Sequence, residues 1–579
     1  MRIKDELLEI ILEGVEALYG KKPLEEIIIE TPPNIQLGDF AVGCFLFAKQ
    51  FKKSPTEIAK ELAKKLEEKN SDFAQFSAVG PYINLKIDNQ KLFKNICREK
   101  LKPFKKNGQT VMVEYLSPNT NKPLHIGHLR NGSTGMAMSL ILEFTGYNVV
   151  KANLVNDRGI HICKSMLAWQ KFGKGATPES TGIKGDHFVG DYYVLFSEKS
   201  KEEPALLNEV QEMLKKWEEG DPEVIKIWKM MNAWVLAGFK DSYKKIGLEF
   251  DIEYLESEIY KSGKEIVKEG AKRGILVEED SGALFYMLPK KEFGENEDGT
   301  FKKLTLLREN GTSVYATQDI AVAAKKAIDY KLDASIYVVG EEQEYYFKTL
   351  FAALQGLGYS WADRCYHLAY GMVDLPDGKM KSREGNVIDA DDLIKDVVAL
   401  AKKEIRIGDE EKLSQREINS RATKISLGAI KFFLLRTGPK NKITFKIKES
   451  IAFDGFTGTY VQYAYTRAKG IVRKAESAGI MDTESSFHLI GNNPEERLLA
   501  QQIILFSEKI EKAAETYNPS VVANAVYNLA KTFHKFYNEH PVITEETELA
   551  SQRLALISTT AKTIETGLGL LGIETLENM

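Results

Sequence analysis

The sequence predicts a multidomain α/β protein: an N-terminal α/β domain, a Rossmann-like parallel-sheet domain carrying an insertion, and a C-terminal all-α helical bundle. Three observations lead there. At 579 residues the chain is too long for a single hydrophobic core. Between about residues 106 and 395 strand and helix patterns alternate, which calls for a parallel sheet. Beyond about 396 nearly every segment has helical periodicity and few turn signals. The domains are therefore expected at 1–105, 106–395 and 396–579, with the insertion at about 170–300.

Taken in order, residues 1–105 open with an amphipathic helix over Asp5–Tyr19, the apolar run Ile27-Ile28-Ile29 and a turn at Thr31-Pro32-Pro33-Asn34. A second helical stretch is expected over roughly Phe40–Lys69. A strand is expected over Gly80–Leu85, where β-formers alternate. Lys100–Lys106 reads as a basic linker. The second domain begins with a buried-strand pattern at Val111–Tyr115, a loop rich in Ser, Pro and Asn, a helix over Gly127–Phe144 and a strand over Tyr147–Leu154. That βαβ unit puts a ligand site beyond the carboxyl ends of the strands. Residues 170–300 are charged and irregular, end in a hairpin-like loop at Glu292–Phe301, and read as inserted. Alternation resumes near Leu304, includes a strand at Ser335–Val339 and runs to about Leu393.

Hydrophobic residues make up 43% and charged residues 28%, the balance of an ordinary globular protein rather than a fibrous or disordered one. The longest apolar runs fall well short of the ~20 residues that span a bilayer, and Met1–Glu6 leads into a helix rather than a signal peptide. A cytoplasmic protein without a membrane partner is expected. Four cysteines (Cys44, Cys97, Cys163, Cys365) include no C-x-x-C pair, so neither a disulfide framework nor a zinc site is expected, and no tightly bound metal. The net charge of −4 hides an uneven distribution. Arg421–Ala475 holds twelve basic and two acidic residues, whereas Glu476–Met579 holds seven basic and fifteen acidic. A positive belt beside an acidic bundle suits a polyanion docked on one face, or a solvated helical surface.

Two motifs carry chemistry. Pro123-Leu124-His125-Ile126-Gly127-His128 follows a strand and loop and opens a helix. Two histidines three apart at a helix N-terminus can both face a polyphosphate, and the exposed N–H groups and helix dipole act in the same direction. Gly127 removes the side chain that would keep a flat base off the backbone. About 250 residues later comes Gly378-Lys379-Met380-Lys381-Ser382-Arg383-Glu384-Gly385-Asn386, a glycine-bounded cationic loop. Its cations can neutralise charge that builds on phosphates as a bond to the α-phosphorus breaks. Tyr315 and Asp319 lie one helical turn apart and can face one pocket.

Together these motifs resemble the HIGH and KMSKS signatures of class I aminoacyl-tRNA synthetases. The flanking sequence resembles the arginine-specific family: Val113-Glu114-Tyr115-Leu116-Ser117-Pro118-Asn119 with Lys122-Pro123 and His125–Arg130, Ser313–Ile320, Val338–Gln343, Asp454–Ala464 and the terminal Gly567–Met579. The resemblance implies an enzyme that activates L-arginine with ATP, taken as its Mg²⁺ complex, and passes it to tRNA(Arg). It implies His125, His128 and Lys379 as catalytic residues. ATP would rest near Gly127 and the backbone of Met372 and Val373, with Lys122 and Lys381 nearby. Glu114, Tyr315 and Asp319 would receive the guanidinium, and Asn119 and Gln343 the α-amino end. Without that resemblance, Glu114 could simply pair with a neighbouring base and Tyr315 could be core packing.

The cationic loop departs from K-M-S-K-S: Lys381 stands at its small third position and Ser382 replaces its second lysine. Either Lys122 or Lys381 is expected to supply the missing charge. RNA contacts are implied for Tyr82 and Asn84 at the N-terminus, with an inward-packed Tyr82 as the alternative, and for Tyr460 and Gln462 in the helical domain. The resemblance also implies that bound tRNA is needed before arginine is activated. A monomer is expected. Synthetases for other amino acids are disfavoured by the Glu114/Tyr315/Asp319 set and small nucleotidyltransferases by the long helical tail. A non-enzymatic RNA-binding relative is disfavoured by the histidine pair together with Lys379.

Overall fold

The computed structural model describes residues 3–98, 101–374, 376, 388–409, 413–482 and 486–579. At the N-terminus, apolar residues at helical spacing make the first packed layer. Leu7, Ile11 and Val15 of helix Ile3–Tyr19 and Ile58, Leu62 and Leu66 of helix Pro55–Asn70 are all buried. Gly14 allows the two helices to approach, because a Cβ there would lie 2.5 Å from the Leu66 side chain. A reciprocal capping box between Ser54 and Glu57 starts the second helix. This helix packs on an antiparallel sheet whose strand order is Ile29–Glu30, Phe40–Gly43, Tyr82–Ile87, Ala74–Val79.

The structure corrects the expected helical stretch from Phe40. Phe40–Gly43 is a strand, and helix begins only at Phe45. A four-residue apolar run is too short for periodicity to separate strand from helix, and burial of Phe40, Ala41 and Val42 in succession hides the alternation of a half-exposed strand.

The second domain is built on five parallel strands in the order Cys365–Tyr370, Ala334–Gly340, Thr110–Glu114, Asn148–Val155, Ile252–Leu255. The chain reverses its direction of winding between Thr110–Glu114 and Ala334–Gly340, which creates the crevice where such sheets take ligands. Asn131 stitches this crevice together. It accepts from Leu116 N at 2.5 Å and donates to Val338 O at 2.8 Å, joining the loop after one strand and the body of its neighbour to the helix Ile126–Phe144.

Residues 170–300, expected as one insertion, are divided. The helices Gly185–Glu202, Leu206–Glu219 and Pro222–Ile246 make one excursion, and the chain then returns to supply Ile252–Leu255 as the sheet's edge strand. A second excursion contains an antiparallel sheet of Val277–Glu278, Leu284–Met287 and Lys303–Leu307, with a hairpin turn closed by the Glu295–Phe301 bridge. The edge strand escaped notice because acidic residues alternate with Phe250, Ile252 and Tyr254, as suits a strand with one exposed face.

The C-terminal region consists mainly of six long helices: Ala390–Asp409, Gln415–Leu435, Gly458–Ser477, Pro494–Glu515, Ser520–Glu539 and Thr547–Leu570. The two ends of the chain are clamped to each other. Arg497, on the fourth of these helices, forms a buried ion pair with Asp39 and donates to Ile87 O at 2.8 Å. No helix among the described residues is long and apolar enough to cross a membrane.

Candidate active site

His125 is the N-cap of helix Ile126–Phe144, with extended backbone. Its Nδ1 accepts from Gly127 N at 3.1 Å, and Nδ1 of His128 accepts from His125 N at 3.0 Å, so each ring satisfies an amide that the helix end leaves unpaired. The ring centroids are 3.8 Å apart. Burial first, and then the Lys122 ammonium, pushes the His125 imidazole down to about 3. Burial first, then His125 and Lys122, holds His128 well below the ordinary histidine value. Both rings are therefore neutral at physiological pH. With Nδ1 accepting, the proton sits on Nε2, and two N–H donors stand at the positive end of a helix. Gly127 has a second reason to be glycine: a Cβ there would lie 2.9 Å from the His125 ring.

The turn that delivers the chain from strand to helix is strained. Leu116 and Ser117 both have positive φ, at 75° and 46°, without being glycine. Asn131 and Asn153 hold this turn by accepting from the Leu116 and Ser117 amides. Asn119, exposed, follows in register with Asn156, and Gln343, also exposed, caps helix Glu344–Gly356 beyond the neighbouring strand. The two therefore sit on opposite sides of the crevice.

Lys379 and Lys381 lie outside the described residues. Both flanks of their segment are anchored to the histidine-bearing helix or the residues leading into it. On one side Ile126 N donates to Ile388 O at 3.2 Å and Ala390 N to Leu124 O at 2.9 Å, with a backbone bridge between His125 and Asp389. On the other side Val373–Asp374 pairs with Ile443–Thr444. Arg130, fully buried, holds this second flank. Its guanidinium donates to the carbonyls of Gly371 (2.8 Å), Met372 (3.3 Å), Pro439 (2.7 Å) and Asn441 (2.6 Å). Burial pushes its pKa down to about 10. Met372 is exposed and Val373 buried, and the backbone at Gly371 and Met372 is held by a cation from the histidine-bearing helix. Lys122 is half-buried just ahead of the histidines, and burial lowers its pKa.

A second group of side chains lies below the crevice. Glu114, at the end of its strand, is buried and ion-paired with Lys326, itself 1% exposed, from helix Tyr315–Tyr330. Asp319, on the same helix, accepts from the Tyr346 hydroxyl. Burial, partly offset by that hydrogen bond, raises the Asp319 carboxyl to about 6, and Glu114 adds to the rise. Tyr315 begins the helix and is 75% exposed, so it is not core packing. Lys326 was not singled out from the sequence, although its spacing of seven from Asp319, two helical turns, puts both on one face.

The RNA-facing expectations divide. Tyr82 is 38% exposed and meets exposed Phe45 edge to face at 5.7 Å. Asn84, two residues on along the strand, is buried with its amide nitrogen unpartnered. Tyr460 is half-buried against His534 and Tyr527. Gln462 is corrected: it is fully buried, and its amide donates to Glu574 O at 2.8 Å and Lys424 O at 3.3 Å, pinning the C-terminal tail. On helix Gly458–Ser477 the open face runs instead through Tyr463, Arg467, Gly470 and Lys474, which line a groove with Tyr537 and Ile543. Counting threes and fours from Tyr460 along the helix leads to that face, whereas Gln462 falls on the inward side.

The model of the class I tRNA synthetase catalytic domain specific for arginine matches residues 91–446, that of the arginyl-tRNA synthetase N-terminal domain residues 3–87, and that of the DALR anticodon-binding domain residues 461–579. An arginine–tRNA ligase of Bacteroides fragilis is 42% identical, with 100% of each chain covered. One of Bacteroides thetaiotaomicron is 42% identical, with 99% of each covered. The solved structure of Thermus thermophilus arginyl-tRNA synthetase superposes with a TM-score of 0.84 at 28% identity, covering 99% of this chain and 100% of that one. From the paired histidines at its helix end to its anticodon-binding helices, the chain belongs to the arginyl-tRNA synthetase family.

Proposed function

We propose that this protein joins L-arginine to tRNA(Arg) in two steps. An arginine carboxylate oxygen attacks the α-phosphorus of ATP, the α–β phosphoanhydride bond breaks, and arginyl-adenylate and pyrophosphate form. The 2′-hydroxyl of the tRNA's terminal adenosine then attacks the adenylate carbonyl, and AMP leaves. The full-length relationship at 42% identity is the observation that carries this reading.

In this reading His125 and His128 donate from Nε2 to the phosphates. No protein nucleophile is required, so acceleration comes from position and charge stabilisation. Lys379 and the backbone of Met372 and Val373 hold the nucleotide, which enters as its Mg²⁺ complex. Lys122, adjacent to the histidines, or Lys381 supplies the remaining charge. Glu114, Asp319 and Tyr315 take the guanidinium, whose planar fork matches carboxylates. Asn119 and Gln343, across the crevice, take the α-amino end. Exposed Tyr82 offers a stacking surface to an unpaired base of the tRNA elbow, with the unpartnered Asn84 amide beside it. Tyr460 and the groove next to it meet the anticodon loop through aromatic rings and cations. The assigned parts are 1–105 for the elbow, 106–395 for chemistry and 396–579 for the anticodon, in a cytoplasmic monomer.

The test is ATP–pyrophosphate exchange with arginine, with and without tRNA(Arg). Exchange that appears with arginine only when tRNA is present supports the reaction, the substrate and the coupling. Exchange without tRNA removes the coupling alone. No exchange in either case refutes the reading.

A further inference from the structure

The ammonium group of Lys326 has no place in the reaction described above, yet it is among the most deeply buried charges in the molecule. It is 1% exposed, paired with Glu114 across 212 positions of sequence, and flanked by the rings of Tyr337 at 5.0 Å and Tyr254 at 5.9 Å. A lysine pointing inward here is costly unless it answers a charge. The answering charges are Glu114, its direct partner, and Asp319, seven residues earlier on the same helix.

We propose that Lys326 is a specificity-determining residue that balances the pocket's two carboxylates, so that the site presents one net negative charge to the single positive charge of a guanidinium. This rests on the reading that Glu114 and Asp319 receive that group. A buried carboxylate (Glu114) and a half-buried one (Asp319) that repel each other cannot both stay ionised cheaply, and one takes up a proton unless a cation intervenes. A protonated pocket would have to expel that proton each time arginine entered. With Lys326 in place the carboxylates remain acceptors, and they remain oriented: Glu114 by the ammonium, Asp319 by the Tyr346 hydroxyl. The arrangement also bears on selection against lysine. An ammonium already occupies the compact-cation position beside Glu114, leaving a flat, fork-shaped donor as the complementary partner.

The other groups facing this cluster do not replace Lys326. Tyr254, Tyr337 and Tyr346 are phenols whose ionisation burial pushes far upward. Cys365, on the adjoining strand, is a thiol pushed up to about 12 by burial. Arg158 is engaged by Glu256 at 3.4 Å and Glu218 at 3.2 Å, and stacks on Tyr260 at 4.1 Å. Glu256, raised to about 7 by burial, is paired with Arg158 and so cannot stand in for the Lys326 cation.

The experiment is the KM for arginine in tRNA aminoacylation, followed from pH 5.5 to 9. In the native protein KM is expected to be flat above about pH 6 and to rise below it, as Asp319 takes up a proton. Lys326→Met is expected to move that rise upward by at least about one pH unit. Arginine KM would then be about threefold higher near pH 6.5, approach tenfold higher near pH 5.5, and match the native value towards pH 9. Glu114→Gln, which leaves Asp319 with the cation and no competing carboxylate, is expected to move the rise downward. Lys326→Arg is expected to keep the native profile. A Lys326→Met protein whose KM changes by one factor at every pH, or not at all, overturns the proposal, as does a Glu114→Gln profile without a downward shift. An Asp319→Asn protein with unchanged arginine KM would instead sink the pocket assignment itself, and so separates the two failures.

Discussion

The two ends of the candidate site are made in opposite ways. At the end proposed to meet phosphates, hereafter the phosphate end, His125, Gly127, His128 and Arg130 come from six consecutive residues at one helix start, and the helix itself supplies N–H groups and a dipole. At the end proposed to take the guanidinium, hereafter the guanidinium end, Glu114, Asp319, Lys326 and Tyr346 come from a strand and two helices spread over more than two hundred positions, and meet only when the sheet has formed. The first end keeps its histidines uncharged by burial. The second keeps charges buried by pairing them. A local device depends on backbone geometry, and a dispersed one on charge balance, so the two should fail differently when disturbed.

The sharpest break should come at the phosphate end. His125→Ala and His128→Ala are expected to lower kcat for aminoacylation by roughly 10²–10³, the usual loss when a preorganised donor is removed, with arginine KM nearly unchanged. Loss of the cap costs about 1 kcal/mol of stability, which urea denaturation would register. Burial holds both histidines well below the ordinary histidine value, so the ATP-dependent rate should show no bend from them across the neutral range. An inflection there that disappears in His125→Ala would refute the neutral pair.

Arg130→Met tests whether the phosphate end is as local as it looks. Four carbonyls would lose their donor, so a loss of about 3 kcal/mol in unfolding free energy is expected. An unchanged midpoint in urea would show that the neighbouring strands hold themselves. At the guanidinium end Asp319→Asn should raise arginine KM by roughly tenfold to a hundredfold, leave kcat within a few-fold, and abolish the rise of KM below pH 6. The sign follows from the raised Asp319 carboxyl: it is anionic and attractive above about 6 and neutral below it. Equal effects on kcat and KM would mean that the two ends are not separable.

The smallest expected effect lies on the RNA-facing helix. Tyr463→Ala should raise the KM for tRNA by roughly fivefold to tenfold, the lower part of the range for one lost stacking partner, without moving arginine KM. Gln462→Leu should instead lower the melting temperature and leave tRNA affinity as it was, because its amide is spent on the C-terminal tail. If the two variants exchanged phenotypes, the division of that helix into an outer and an inner face would be wrong.

What was legible in the sequence tracks how locally each feature is made. The helix at His125, the strand before it and the position of Tyr315 and Asp319 on one helix follow from spacing over a few residues. Phe40–Gly43 and Ile252–Leu255 were missed because four residues are too few for a period, and because an edge strand bounded by acids resembles a loop. Gln462 differs from its expectation because its aromatic neighbours point to a binding face while the helical phase turns it inward.

The sequence by itself determined the family, the reaction class, the order of the three structural regions and the histidine pair, since each is written in contiguous residues whose local physics permits few alternatives. Only the tertiary structure decided that both histidines are neutral donors, that Arg130 holds the backbone at Gly371, Met372, Pro439 and Asn441, and that Glu114 answers Lys326. Those outcomes depend on burial and on pairings between residues far apart in the chain. Burial sets the cost of a charge, and chain folding alone decides which partner is near enough to offset it.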